Sequence, residues 1–217
     1  MNAAKTIVAI LCLGGVSLAG CERSSREKPM SAEAEACKVR ISSFCSSVGL
    51  DDVKILRDGR HIVKQVLSLT NDHERIVLFR EFVNEFYKID ISKCTFREAN
   101  CLLGRYCQMP EYLAYGLIKA GGSREEAWQS LMTGLEKYRQ MCFSFGDEND
   151  MSDGKGRETL ERRRIARWGR KSWKGCLRFC RDTTIKSVFG ADKGTVERFQ
   201  ARLESRFGRI EEGSSEA

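Results

Sequence analysis

Apolar residues along this chain recur at three- and four-residue intervals and almost nowhere in strict alternation, so the pattern predicts helices throughout. Cys37, Ile41, Phe44, Cys45 and Val48 follow i, i+4, i+7, i+8 and i+11, one face of a helix that opens at Ala34 and closes at Gly49. Val53 and Leu56, then Ile62, Val63, Val66 and Leu67, place helix on both sides of an irregularity at Asp58-Gly59. The "TND" at 70–72 supplies N-cap residues for a helix bearing Ile76, Phe79, Phe82, Val83 and Phe86. Residues 94–108 read as a helix halted before Pro110, and residues 110–120 as another closed by Gly121-Gly122. Ser123 with Glu126 then spells a capping box for a helix reaching about Phe143.

Residues 117–138, "LIKAGGSREEAWQSLMTGLEKY", loosely resemble one unit of the tetratricopeptide or pentatricopeptide helical-hairpin repeats. No second copy follows at a period of about 34 residues, so the stretch is read as one helical hairpin. After it, "GDENDMSDGKG" at 146–156 is read as an acidic, Gly-containing loop and a candidate domain boundary. It fails as a calcium loop, because Met151 falls at a ligand position whether the loop is counted from Asp147 or from Asn149. At the far end Val196, Phe199, Leu203 and Phe207 form an amphipathic helix with Thr195 as N-cap and Gly208 as stop, and 211–217 is a polar tail read as disordered. The expected fold is an all-α, disulfide-stapled helical bundle of about seven to eight helices, with a main domain at 34–145 and a basic helical segment at 157–210 packed on or beside it.

The first 20 residues differ from all this. They carry one charge, Lys5, and then the apolar run "TIVAILCLGGVSLAG", the layout of a secretory signal. The run is too short, and too broken by Gly14 and Gly15, for a spanning helix of about 20 apolar residues. Leu18-Ala19-Gly20-Cys21 resembles the lipobox of bacterial lipoproteins at all four positions. That resemblance implies cleavage before Cys21, a diacylglycerol on its thiol and an acylated amino terminus, which together anchor a protein stably where one chain would not. An ordinary signal cut after Ala19 is the alternative. In the enterobacterial sorting pattern a residue other than Asp after the Cys, here Glu22, implies the outer membrane, facing the periplasm. Residues 21–33 then serve as a flexible tether.

Cysteine arithmetic fits the same address. Of ten cysteines, Cys12 leaves with the signal and Cys21 takes lipid, so Cys37, Cys45, Cys94, Cys101, Cys107, Cys142, Cys176 and Cys180 remain, an even set suited to disulfides in an exported protein. Cys37 and Cys45 on one helix, and Cys94 and Cys101 on another, each span about two turns, a spacing that could join two antiparallel helices. No paired Cys/His spacing points to a metal site, and no cofactor fingerprint is present.

Charge singles out one segment. Residues 155–186 hold twelve Lys or Arg against Glu158, Glu161 and Asp182, a local excess of nine, while the whole chain is only +7. Ile165, Trp168, Ser172, Cys176 and Phe179 recur at helical intervals there, flanked by Trp173, Leu177 and Cys180, and leave the bases to the other sides. Either this is a docked amphipathic helix whose long basic side chains simply face water, or Arg162, Arg163, Arg164, Arg167, Trp168, Arg170, Lys171, Trp173, Lys174 and Arg178 are contacts for an anionic envelope partner: lipid headgroups, lipopolysaccharide, a wall polymer or an acidic protein. Nucleic acid would be drawn by the same charge but is rarely met by an exported chain.

Catalytic signatures are absent from the sequence, which has two histidines, His61 and His73, and none of the nucleophile, metalloprotease or phosphate-loop motifs. The reading is thus a membrane-anchored cell-envelope lipoprotein that binds rather than catalyses, through its basic helix. The alternatives are a thiol-disulfide-active protein using Cys176 and Cys180, and a hydrolase working through carboxylates.

Overall fold

In a computed structural model of the chain, residues 30–69, 71–144 and 156–209 are described, with backbone alone at Arg57, Arg105 and 156–166. The lipobox, Cys21 and most of the expected tether lie outside the described residues, as do the core of the 146–156 loop and the tail. From Ser31 onward the helices belong to one unit. They are α1 (Ala32–Ser47), α2 (Asp52–Arg57), α3 (Arg60–Leu67), α4 (Asp72–Tyr87), α5 (Phe96–Leu103), α6 (Gln108–Lys119), α7 (Arg124–Ser144), α8 (Gly156–Phe179), α9 (Ile185–Phe189) and α10 (Lys193–Phe207). The described residues contain no strand, and eight of these helices have eight or more residues, as the apolar spacing predicts.

Capping explains several of the boundaries. The Ser31 hydroxyl accepts from the Ala34 N–H at 3.3 Å, so α1 opens two residues before the position read from the apolar pattern and takes in the end of the expected tether. Ser31 in turn donates its N–H and its hydroxyl to the Glu98 carboxylate, each at 2.7 Å, and Glu98 completes a capping box with Thr95 at the start of α5. One carboxylate thus fixes the starts of two helices far apart in sequence. Desolvation opposes its ionisation, but the bonds from Ser31 and Thr95 outweigh that and bring its pKa down to about 2. At α7 the Ser123 hydroxyl accepts from the Glu126 N–H at 3.1 Å, while the Glu126 side chain turns to Arg80 instead of closing the box. At α10 the cap is Asp192, not Thr195: Thr195 is buried and gives its N–H to Asp192 Oδ1 at 2.9 Å.

Residues 94–108 correct the sequence reading most. The stretch is not one helix but α5, a stop at Gly104 (φ 72°), and a 3₁₀ turn over Arg105–Cys107 in which Tyr106 and Cys107 both take positive φ, 52° and 65°. Pro110 does not end a helix; it sits third in α6, where its missing N–H would have had no intrahelical partner.

The α6–α7 hairpin forms the centre, with α3, α4 and α9 packed on α6, α8 laid along α7, α1 on α4, and α10 on α9. The core runs from Ile41, Phe79, Phe82 and Leu113 through Leu131, Leu135 and Tyr138 to Phe189, Phe199 and Leu203. Among the described residues no disulfide is formed, so the expected staples are not part of this fold. Cys37, Cys45, Cys94, Cys107, Cys142, Cys176 and Cys180 are buried thiols that fill core positions as small apolar groups, and Cys101 is half-buried. The helix pairing explains the difference: α1 lies on α2 and α4, so Cys45 sits near Asp51 and Asp52 instead of meeting Cys101 of α5.

Between α8 and α9 the chain makes a π-helical turn over Cys180–Thr184. It brings Thr184 and Ser187 onto α6, where their hydroxyls donate to the enclosed Glu111 carboxylate at 3.1 and 3.2 Å. Burial raises the Glu111 pKa by more than these two bonds lower it. A raised carboxyl pKa means the fold resists the ionised form, so stability is complete below the unfolded-chain pKa and falls as pH rises through the folded one. Glu111→Gln keeps an acceptor for the hydroxyls and removes the charge. It is expected to raise stability by about 1 kcal/mol at pH 7 and to leave it unchanged below about pH 4, as read by urea unfolding at both pH values. A net loss at neutral pH would show that the ionised group is held favourably.

Candidate functional site

The expected contact segment falls on α8, whose inner face is set by its small and apolar residues. Gly169, Ser172, Trp173, Cys176 and Leu177 are buried. Gly169 allows the closest approach: a Cβ there would lie 2.0 Å from the Cys142 carbonyl oxygen of α7, so only glycine lets the two helices touch. With that face down, Arg167, Lys171, Lys174 and Arg178 stand exposed at i, i+4, i+7 and i+11. They form a straight stripe about 16 Å long on the side opposite the core.

The stripe differs from Arg80, Arg202 and Arg206, which pair across helices. On α10, Arg202 pairs with Glu125 at 2.7 Å and Arg206 with Glu136 at 3.2 Å, both acids of α7, and on α4 Arg80 pairs with Glu126 at 2.6 Å. Arg167, Lys171, Lys174 and Arg178 form no ion pair with any described residue. Among the described residues their charge is therefore unpaired, which is how a surface attracts an extended anion.

Trp168 flanks the stripe. It is 40% exposed, and its ring meets Phe96 of α5 edge-on with centroids 4.6 Å apart. Val39, Val53, Val77 and Phe143 are the other exposed large apolar side chains among the described residues, and none of them belongs to α8. Arg170 is also exposed on this helix. Trp173 does not belong to the face: it is 7% exposed and packs edge-on against Phe207 at 5.3 Å. The side chains of Arg162, Arg163 and Arg164 lie outside the described residues. Phe96 had no signal in the sequence, because its tie to Trp168 joins helices distant along the chain.

The cysteines expected to act in thiol exchange lie on the opposite side of α8. Cys107, Cys142, Cys176 and Cys180 lie close enough to one another that ionising one is opposed by the others. Burial pushes the Cys142 thiol up to about 12 and those of Cys107 and Cys180 well above their ordinary value. Exchange needs a thiolate within reach of solvent; Cys176 and Cys180 are both buried, and the Cys180 thiol resists ionisation. Among the described residues no group of His, Cys, Asp and Glu is placed to hold a metal ion, and no helix is long and apolar enough to cross a membrane. His73, Glu74 and Glu81 line an open depression of about 320 Å³ at the start of α4, with Val77 and Leu78 as its apolar wall. No known protein family, curated protein or solved structure matches the chain.

Proposed function

We propose that this chain is a membrane-anchored lipoprotein of the bacterial cell envelope that works as a binding or scaffold module, with α8 as its contact for an anionic partner. The anchor reading rests on Leu18-Ala19-Gly20-Cys21 behind a signal-like apolar run. The binding reading rests on one observation above all: the four aligned bases of α8 form no ion pair with a described residue, while Arg202 and Arg206 of α10 are paired with acids of α7.

Electrostatics sets the expected behaviour. Four like charges along one line add their attraction to an extended polyanion, and each exposed charge is screened beyond about 8 Å at physiological salt. Replacing Arg167, Lys171, Lys174 and Arg178 together by glutamine keeps much of their length and removes the charge. The expected result is a loss of roughly 100-fold in affinity for a labelled polyphosphate at low salt, shrinking as salt rises, with an unchanged helical circular dichroism spectrum. Fluorescence anisotropy titrations at two salt concentrations measure it. Equal binding by both proteins at low salt would remove α8 as the contact.

A further inference from the structure

We infer that the partner of α8 is the headgroup layer of an anionic phospholipid bilayer, with Trp168 seated at its interface. The inference rests on the anionic-partner reading above and narrows it to one class. Three features carry it. The bases lie in a straight line and do not converge on a point, so no single small anion could satisfy Arg167, Lys171, Lys174 and Arg178 together; a plane or chain of negative charge could. Their flank then carries a large aromatic side chain that the fold leaves part-exposed instead of burying. A soluble polyanion gives an indole on this flank no particular task, whereas the bilayer interface favours tryptophan, whose ring is apolar and whose N–H still reaches water or headgroups.

The third feature is preorganisation. Phe96 holds the Trp168 ring edge-on, so the indole is presented in one place instead of folding back on α8. Trp168 and Lys171 are three residues apart and therefore neighbours on the helix surface. An interface that accepts the ring would meet the stripe at the same moment. Binding of this kind combines buried apolar area with attraction to anionic lipid, and it weakens with salt.

The test uses the full chain carrying Cys21→Ser, so that no lipid is attached, and vesicles of phosphatidylcholine with and without phosphatidylglycerol. Trp128 and Trp173 are 3% and 7% exposed, so quenching by brominated lipid reports on Trp168. The expected results are blue-shifted, quenched emission with the phosphatidylglycerol vesicles only, loss of that signal in Trp168→Phe, and roughly tenfold weaker binding for Trp168→Ala. The quadruple glutamine variant should lose vesicle binding as well, which separates α8 from the apolar residues 1–20. Polyphosphate binding without quenching by either vesicle would overturn the bilayer assignment and keep the anionic-partner reading. Equal binding to both vesicle types, or vesicle binding that survives the quadruple variant, would also overturn it. Failure to bind polyphosphate and vesicles alike would remove both.

Discussion

Phe199→Ala is expected to cost about 4 kcal/mol of folding stability, the largest single effect in the molecule. Phe199 is 2% exposed and joins three helices through its ring: it stacks on Phe189 of α9 at 4.2 Å and tilts against Trp128 of α7 at 5.0 Å. Arg202 lies over both rings, 4.8 Å from that of Trp128 and 5.5 Å from that of Phe199, while it pairs with Glu125. Truncation removes the stacking partner of Phe189 and opens a cavity that α10 cannot close, because Val196 and Leu203 are already committed to the same face. Urea unfolding followed by circular dichroism measures the loss. Phe199→Leu, which keeps much of the volume, should lose less than half as much. Equal losses from the two variants would mean that the ring contacts, not the filled volume, carry the whole effect.

The second large effect belongs to the crossing of α7 and α8. Alanine at Gly169 places a methyl group 2.0 Å from the Cys142 carbonyl oxygen and 3.0 Å from its carbon. The obstacle is backbone, which cannot rotate aside as a side chain would, so the helices must separate. Helix propensity favours alanine by about 1 kcal/mol, and overpacking outweighs it, for an expected net loss of about 3 kcal/mol. Gly194→Ala is the control: Gly194 lies in the first turn of α10 with only Asp192 Oδ1 near, at 3.9 Å, so alanine there should be neutral or mildly stabilising. A neutral Gly169→Ala would show that α8 can ride away from α7 without penalty. Thermal unfolding of the two variants side by side decides it.

Where apolar spacing was regular, the sequence was enough. Cys37, Ile41 and Cys45 are buried on α1 as their spacing predicts, Phe79, Phe82, Val83 and Phe86 on α4, and Val196, Phe199 and Leu203 on α10. The errors came where geometry is decided by neighbours distant in sequence. Tyr106 and Cys107 take positive φ with no glycine or asparagine to announce it, and the Tyr106 ring is held by stacking on Phe179 at 6.4 Å. Ser31 caps α1 in partnership with Glu98, which no local pattern could supply. The basic face was legible as charge, but its membership was not. Trp173 and Trp168 differ by five residues and share one composition, and only the docking of α8 on α7 sends the first inward and leaves the second at the surface. The cysteines misled for the opposite reason: an even count invites pairing, whereas helix packing buries the thiols in the core without joining them.

The π-helical turn at Cys180–Thr184 acts as a phase slip in one long helical path. An unbroken α-helix advances 100° per residue, and on that register Ile185 and Phe189, seven and eleven residues beyond Arg178, would continue the line of Arg167, Lys171, Lys174 and Arg178 into water. The extra residue in the turn sets everything after it back by about one residue's rotation, and Ile185 and Phe189 are instead 0% and 1% exposed. One helical line is thus polar surface before the slip and hydrophobic core after it. A single insertion in the chain sets where the basic face ends and keeps a greasy strip from extending it. The length of that face is consequently a property of backbone register, open to change by one deletion without altering any charged residue.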